Sequence, residues 1–272
     1  MKSRGFRGAL WLAWIVVVAR GFSADAGLAP REWTVDGVVR RALVHVPAHA
    51  AVAATPVVFA FHGHGGTMAQ AARSFGFHTL WPDAIVVYMQ GLPTVGALTD
   101  PDGKQPGWQR GPGAYADRDL KFFDAVLGAL RRDYRVDAKR IFATGHSNGG
   151  GFTYVLWATR GEVFAAVAPS AAAPGLGWYE TLKPKPALHV AGTNDELVKF
   201  TVQERAMKFV RQLNGCASEG EAWAKSGPIT GTRYTSQTGT PFVALIYPGP
   251  HQFPAEAPAL IVRFFKEQAA AP

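Results

Sequence analysis

The chain has 272 residues, 48% hydrophobic and 18% charged, enough to bury one large core and too apolar for a disordered protein. Its 30 glycines and 19 prolines fall in no low-complexity tract, which excludes collagen-like, coiled-coil and linker-dominated chains, and the lone Cys216 excludes an internal disulfide or a multi-cysteine zinc site. The formal charge of +8 is scattered, with pairs such as Arg40-Arg41 and Arg131-Arg132 but no basic stripe among aromatics, so nucleic acid is not an expected partner.

Lys2, Arg4 and Arg7, the apolar run from Ala9 to Ala19 and the A-x-A segment Ala24-Asp25-Ala26 read together as a secretory signal over residues 1–26. The apolar run has 11 residues, whereas about 20 are needed to cross a bilayer, so no stable membrane anchor is expected. Cleavage removes Lys2, Arg4, Arg7, Arg20 and Asp25 and lowers the formal charge from +8 to +5. The expectation is a secreted or periplasmic protein with a single domain over residues 27–272.

The domain opens with Trp33 to Val35 and Val38 to Val46 around Asp36-Gly37, a hairpin signal. Short apolar runs follow at Val57 to Phe61, Ile85 to Tyr88, Ile141 to Thr144, Phe164 to Ala168, Leu188 to Ala191 and Phe242 to Tyr247, as suits strands buried on both faces of a parallel sheet. Helical patterns lie between them, at Asp119 to Arg132, Gly150 to Thr159, Thr201 to Leu213 and Ala255 to Glu267, with Pro258 near the start of the last allowing that helix a later beginning. This is an α/β chain: a mostly parallel central sheet with an antiparallel N-terminal hairpin and helices on both faces. Gly91 to Arg118 is too long for an ordinary connection and reads as a functional or mobile surface loop, while Pro169 to Pro186 is too short to hold a large cap domain.

Gly145-His146-Ser147-Asn148-Gly149 has the G-x-S-x-G form directly between a strand and a helix, the context in which that motif lifts a serine hydroxyl out of the backbone. A serine needs a base, and the base an orienting carboxylate, in the order Ser, Asp or Glu, His in an α/β-hydrolase sheet. After Ser147 the chain contains one aspartate, Asp195, and two histidines, His189 and His251. Asp195 follows a strand in Gly192-Thr193-Asn194-Asp195, and His251 follows another in Pro248-Gly249-Pro250-His251. His189 lies inside an apolar strand, where a core role is expected, and Glu196 is the rival to Asp195.

Phe61-His62-Gly63-His64-Gly65-Gly66 follows a strand and matches an oxyanion turn, with the backbone amides of His64 and Asn148 as expected donors. His62, His64 and His146 lack a marked third ligand for a metal, and Gly63 to Gly66 is not G-x-G-x-x-G, so neither a metal nor a nucleotide cofactor is expected. Trp108, Gln109 and Trp178, in the two irregular stretches, are candidates for a substrate wall.

This set of residues resembles the secreted α/β-hydrolase esterases, among them polyhydroxybutyrate depolymerase-like proteins and the compact feruloyl and acetylxylan esterases. The resemblance runs from His45-Val46-Pro47 to His251 and implies an α/β-hydrolase fold without a large cap. It further implies Ser147 as nucleophile, His251 as base, Asp195 as orienter, no cofactor, and feruloyl-type, acetyl or hydroxyalkanoate esters as substrates. Relatives often carry Gly-Gly-Gly-His-x-Trp-Pro at the histidine, whereas this chain has Gly249-Pro250-His251-Gln252-Phe253-Pro254, which implies an altered pocket wall. A serine peptidase of the same fold and a non-catalytic binding scaffold are the competing expectations.

Overall fold

In β3 (Thr55–Phe61) every side chain is buried, as also in β4 (Ile85–Met89), because helices cover both faces of these strands. The computed structural model describes residues 27–175, 177 and 180–269; residues 1–26, where a secretory signal is expected, and Trp178 lie outside the described residues. The other strands of the large sheet are β1 (Leu28–Val35), β2 (Val38–His45), β7 (Val136–His146), β8 (Ala166–Ser170), β9 (Ala187–Gly192), β10 (Glu221–Ser226), β11 (Ile229–Tyr234) and β12 (Phe242–Tyr247). A two-residue ribbon, β5 (Leu92–Pro93) with β6 (Pro106–Gly107), stands apart.

The spatial order is β1-β2-β4-β3-β7-β8-β9-β12-β11-β10. The six strands from β4 to β12 run parallel, and antiparallel strands close both edges. Successive residues of β3 serve opposite cores. Val57, Phe59 and Phe61 pack beneath α3 (Arg118–Asp133), α4 (Asn148–Arg160) and α5 (Phe200–Leu213), while Val58 and Ala60 pack against α1 (Met68–Phe75), α2 (Phe77–Leu80) and α6 (Ala257–Ala269). None of the described helices is long and apolar enough to cross a membrane.

The expected strands and helices are all present, with ends moved by a few residues. The last helix begins at Ala257, so that Pro258 falls in its first turn, where its missing N–H is no loss. Sequence reading missed α1, α2 and the β10–β11 hairpin. That hairpin is half-exposed at the sheet edge, turning at Gly227 with φ +52°, and lacks the continuous apolar run of the inner strands.

The Gly91 to Arg118 connection, expected as a functional or mobile surface loop, is tied to the core by Arg40, whose Nη1 donates to Arg118 O at 2.9 Å. Arg40 Nη2 donates to Asp119 Oδ1 at 2.7 Å in a fully buried pair, and Arg118 Nη2 donates to Pro93 O at 2.9 Å. Trp108 and Gln109 are 0% exposed, which corrects their assignment to a substrate wall. The Trp108 indole donates to His62 O at 2.8 Å and stacks on Phe152, with ring centroids 5.3 Å apart. Gln109 donates through its side chain to Asp117 Oδ1 at 2.9 Å and accepts from Asp119 N at 3.0 Å. Both residues therefore hold the loop from within.

Candidate active site

Ser147 sits between β7 and α4 at φ 56°, ψ −121°, a region populated essentially by glycine, and holding serine there costs about 1–3 kcal/mol. The turn is over-determined: Ser147 N donates to Ser170 O and Gly151 N to Ser147 O, both at 2.8 Å. A Cβ on Gly145 would come within 2.5 Å of the Gly149 carbonyl, and one on Gly149 within 2.2 Å of Phe61 O, so only glycine fits either side of the serine.

Parallel strands bring the remaining groups to the same edge of the sheet, outside their carboxyl ends. Asp195 follows β9 and His251 follows the neighbouring β12. The two turns are tied by Thr193 N to Tyr247 O at 2.9 Å and Asn194 N to Gly249 O at 3.0 Å. His251 Nε2 lies 2.8 Å from Ser147 Oγ, and His251 Nδ1 lies 2.8 Å from Asp195 Oδ2. Asp195 Oδ1 accepts from Leu197 N at 3.0 Å and Val198 N at 2.8 Å, and Oδ2 also accepts from Gln203 Nε2 at 2.9 Å. Glu196 is exposed, and it is Asp195 whose carboxylate meets His251. Gln203 was not recognised in the sequence, where it reads as one polar residue of an amphipathic helix.

The turn after β3 lies beside the serine, since a Cβ on Gly63 would stand 3.5 Å from Ser147 Cβ. His64 Nε2 pairs with Asp100 Oδ2 at 3.1 Å, and Asn148 clamps the backbone of Trp108 with its Oδ1 accepting from N at 2.6 Å and its Nδ2 donating to O at 3.1 Å. These contacts fix the two residues whose backbone amides are the expected oxyanion donors. Among the described residues no group of three or more His, Cys, Asp or Glu could hold a metal ion.

Two buried histidines, His62 and His189, and the half-buried His146 are held in the neutral form. Burial pushes His146 down to about 3; its ring lies 5.0 Å from that of His251, with Nδ1 3.1 Å from Ser170 Oγ. Burial likewise pushes His62 and His189 down to about 4. His62 Nε2 accepts from Gly91 N at 3.0 Å, so the proton is on Nδ1 and donates to Gly63 O at 2.7 Å. The folded-state values lie below the ordinary 6.5, so stability is full above that pH and falls as the pH drops towards 4. With His62 and His189 counted, the slope of unfolding free energy in this window should approach about 2.7 kcal/mol per pH unit. Urea unfolding at a series of pH values measures it, and a flat profile would contradict neutral burial.

The mostly parallel sheet with helices on both faces and the serine on a strained strand-to-helix turn define an α/β-hydrolase fold. Solved structures agree on the fold: an acetyl xylan esterase from Aspergillus awamori superposes with a TM-score of 0.67 at 16% identity, over 88% of this chain and 99% of that one. A ferulic acid esterase does so with a TM-score of 0.64 at 14% identity, over 89% and 98%. No model of a known protein family matches the chain.

By sequence the chain is similar to feruloyl and acetylxylan esterases. It is 31% identical over 178 residues to a probable feruloyl esterase C of Aspergillus clavatus, covering 65% of this chain and 62% of that protein. It is 29% identical over 104 residues to a bifunctional acetylxylan esterase/xylanase of Neocallimastix patriciarum, covering 38% of this chain and 16% of that protein. The chain thus spans less than two thirds of these curated relatives. They support the feruloyl and acetylxylan side of the resemblance and lend nothing to its depolymerase side.

Proposed function

We propose that this protein is a serine carboxylic-ester hydrolase with a single catalytic domain over residues 27–272, exported by the segment 1–26. The reading is carried by the hydrogen-bonded line from Ser147 Oγ through His251 to the buried Asp195, with 2.8 Å at each step. Ser147 Oγ attacks the ester carbonyl as His251 Nε2 takes its proton, and Asp195 steadies the imidazolium. The backbone amides of His64 and Asn148 receive the tetrahedral oxyanion. His251 returns the proton to the leaving alcohol, and water, activated by the same imidazole, then releases the acid from Ser147. Feruloyl and acetyl esters are the substrate classes that the relatives favour. No step calls for a cofactor.

The test pairs two measurements on the purified protein: hydrolysis of methyl ferulate and an aryl acetate, and covalent labelling by a fluorophosphonate followed by peptide mass analysis. Ester turnover with the label on Ser147 is the expected result. A protein that neither turns over esters nor takes the label is not this enzyme, and one that cleaves peptides but not esters is a peptidase on the same scaffold.

A further inference from the structure

The carboxylate of Asp195 is the end of a longer buried line of hydrogen bonds that the reaction above does not use. Gln203, in the first turn of α5, is 0% exposed. Its Nε2 lies 2.9 Å from Asp195 Oδ2 and 2.6 Å from Val198 O, and its Oε1 lies 3.2 Å from His189 Nε2. Two of these neighbours only accept, so both amide protons are committed to them and Oε1 must accept from His189 Nε2–H. His189 Nδ1 is then left with a lone pair, which accepts the Tyr154 hydroxyl at 3.1 Å. Because burial keeps His189 neutral, one tautomer satisfies every contact, and the line runs in one direction from Tyr154 through His189 and Gln203 to Asp195.

The geometry points to Gln203 as a positioning residue of the proposed triad: it donates to the same Asp195 oxygen that accepts the His251 N–H, fixing that oxygen and tempering the charge His251 meets. His189 and Tyr154 set the orientation of the Gln203 amide. The inference rests on the esterase reading. Its competitor is a purely structural amide that braces the 195–198 turn through Val198 O.

The two roles differ in how activity depends on pH. Removing the Gln203 donor leaves Asp195 Oδ2 more negative, which favours the protonated His251 and moves the acid limb of kcat/KM upward. Among the described residues, the other titratable groups near this pair include the exposed Glu196 together with His146, His189, Tyr154 and Tyr247. His146 and His189 are held neutral by burial, and burial pushes the Tyr247 hydroxyl up while it donates to Pro250 O at 2.7 Å and to Gln252 O. The acid limb therefore reports the His251–Asp195 pair.

Gln203→Met keeps the volume and removes the donor, and Gln203→Glu keeps the shape and puts an acceptor beside Asp195. For Gln203→Met, kcat on an aryl acetate should fall about tenfold with KM little changed, and the acid limb should rise by about half a pH unit or more. Gln203→Glu should raise it further, because a second carboxylate adds negative charge. Unchanged kinetics, or a loss of kcat with the acid limb unmoved, overturns the inference. If Gln203→Met does not fold, the acid limb of Gln203→Glu decides in the same way. A wild-type protein that neither hydrolyses the ester nor takes a fluorophosphonate sinks the esterase reading itself, whereas an active wild type with unmoved variants sinks only the role of Gln203.

Discussion

Replacing Ser147 by alanine should lower kcat for ester hydrolysis about a millionfold, the scale on which removing a serine nucleophile acts, while leaving the protein folded. The side chain is small and its loss opens no large cavity, so circular dichroism and the unfolding transition should stay close to those of the wild type. Backbone strain makes the experiment sharper. At φ 56°, ψ −121° an alanine is as strained as the serine, but a glycine is not. Ser147→Gly should therefore be more stable than Ser147→Ala by about 1–2 kcal/mol in urea unfolding, although equally inactive. Equal stabilities would mean that the turn is not strained by its side chain. The loss of activity alone would identify the nucleophile; the stability difference shows that the fold bears a cost to present it.

How much of this was legible in the sequence depended on the kind of environment each residue occupies. The inner strands announce themselves because both faces are buried and the apolar run is continuous, as in Val57 to Phe61. The β10–β11 hairpin does not, since its exposed edge needs only Trp223, Ile229 and Gly231 to be buried. Ser147, Asp195 and His251 were legible because each stands in a turn directly after a buried strand, and parallel strands gather such turns at one edge.

Trp108 and Gln109 misled because a Gly- and Pro-rich segment reads as surface. Here its backbone polar groups are satisfied from inside, Gln109 N by the buried Asp119 at 2.8 Å, and so it can be packed. His189 was recognised as a core histidine, but nothing in its strand disclosed that its ring leads through Gln203 to Asp195. Such a contact joins β9 to α5 and exists only once the two elements pack.

The same contacts make Asp195→Asn a demanding test of the site. In the asparagine variant the backbone amides of Leu197 and Val198, both donors, retain the side-chain oxygen at the position of Oδ1. The NH2 group must then take the place of Oδ2 and face His251 Nδ1. It can be accommodated there only if Nδ1 gives up its proton and accepts, which forces the imidazole proton onto Nε2, opposite Ser147 Oγ. A ring in that tautomer donates to the serine and cannot take its proton. The expected fall in kcat is about ten-thousandfold, with ester binding little affected.

The NH2 also meets the Gln203 amide donor, which cannot turn over without giving up Val198 O and presenting protons to His189. This buried donor–donor conflict should cost about 1–3 kcal/mol of stability in addition to the kinetic loss. Adding Gln203→Glu to Asp195→Asn supplies an acceptor for the new NH2 and should recover part of that stability. It should recover none of the activity, because the imidazole remains in the wrong tautomer. Recovery of turnover in the double variant, or an Asp195→Asn enzyme within about tenfold of wild type, would show that Asp195 does not set the tautomer of His251.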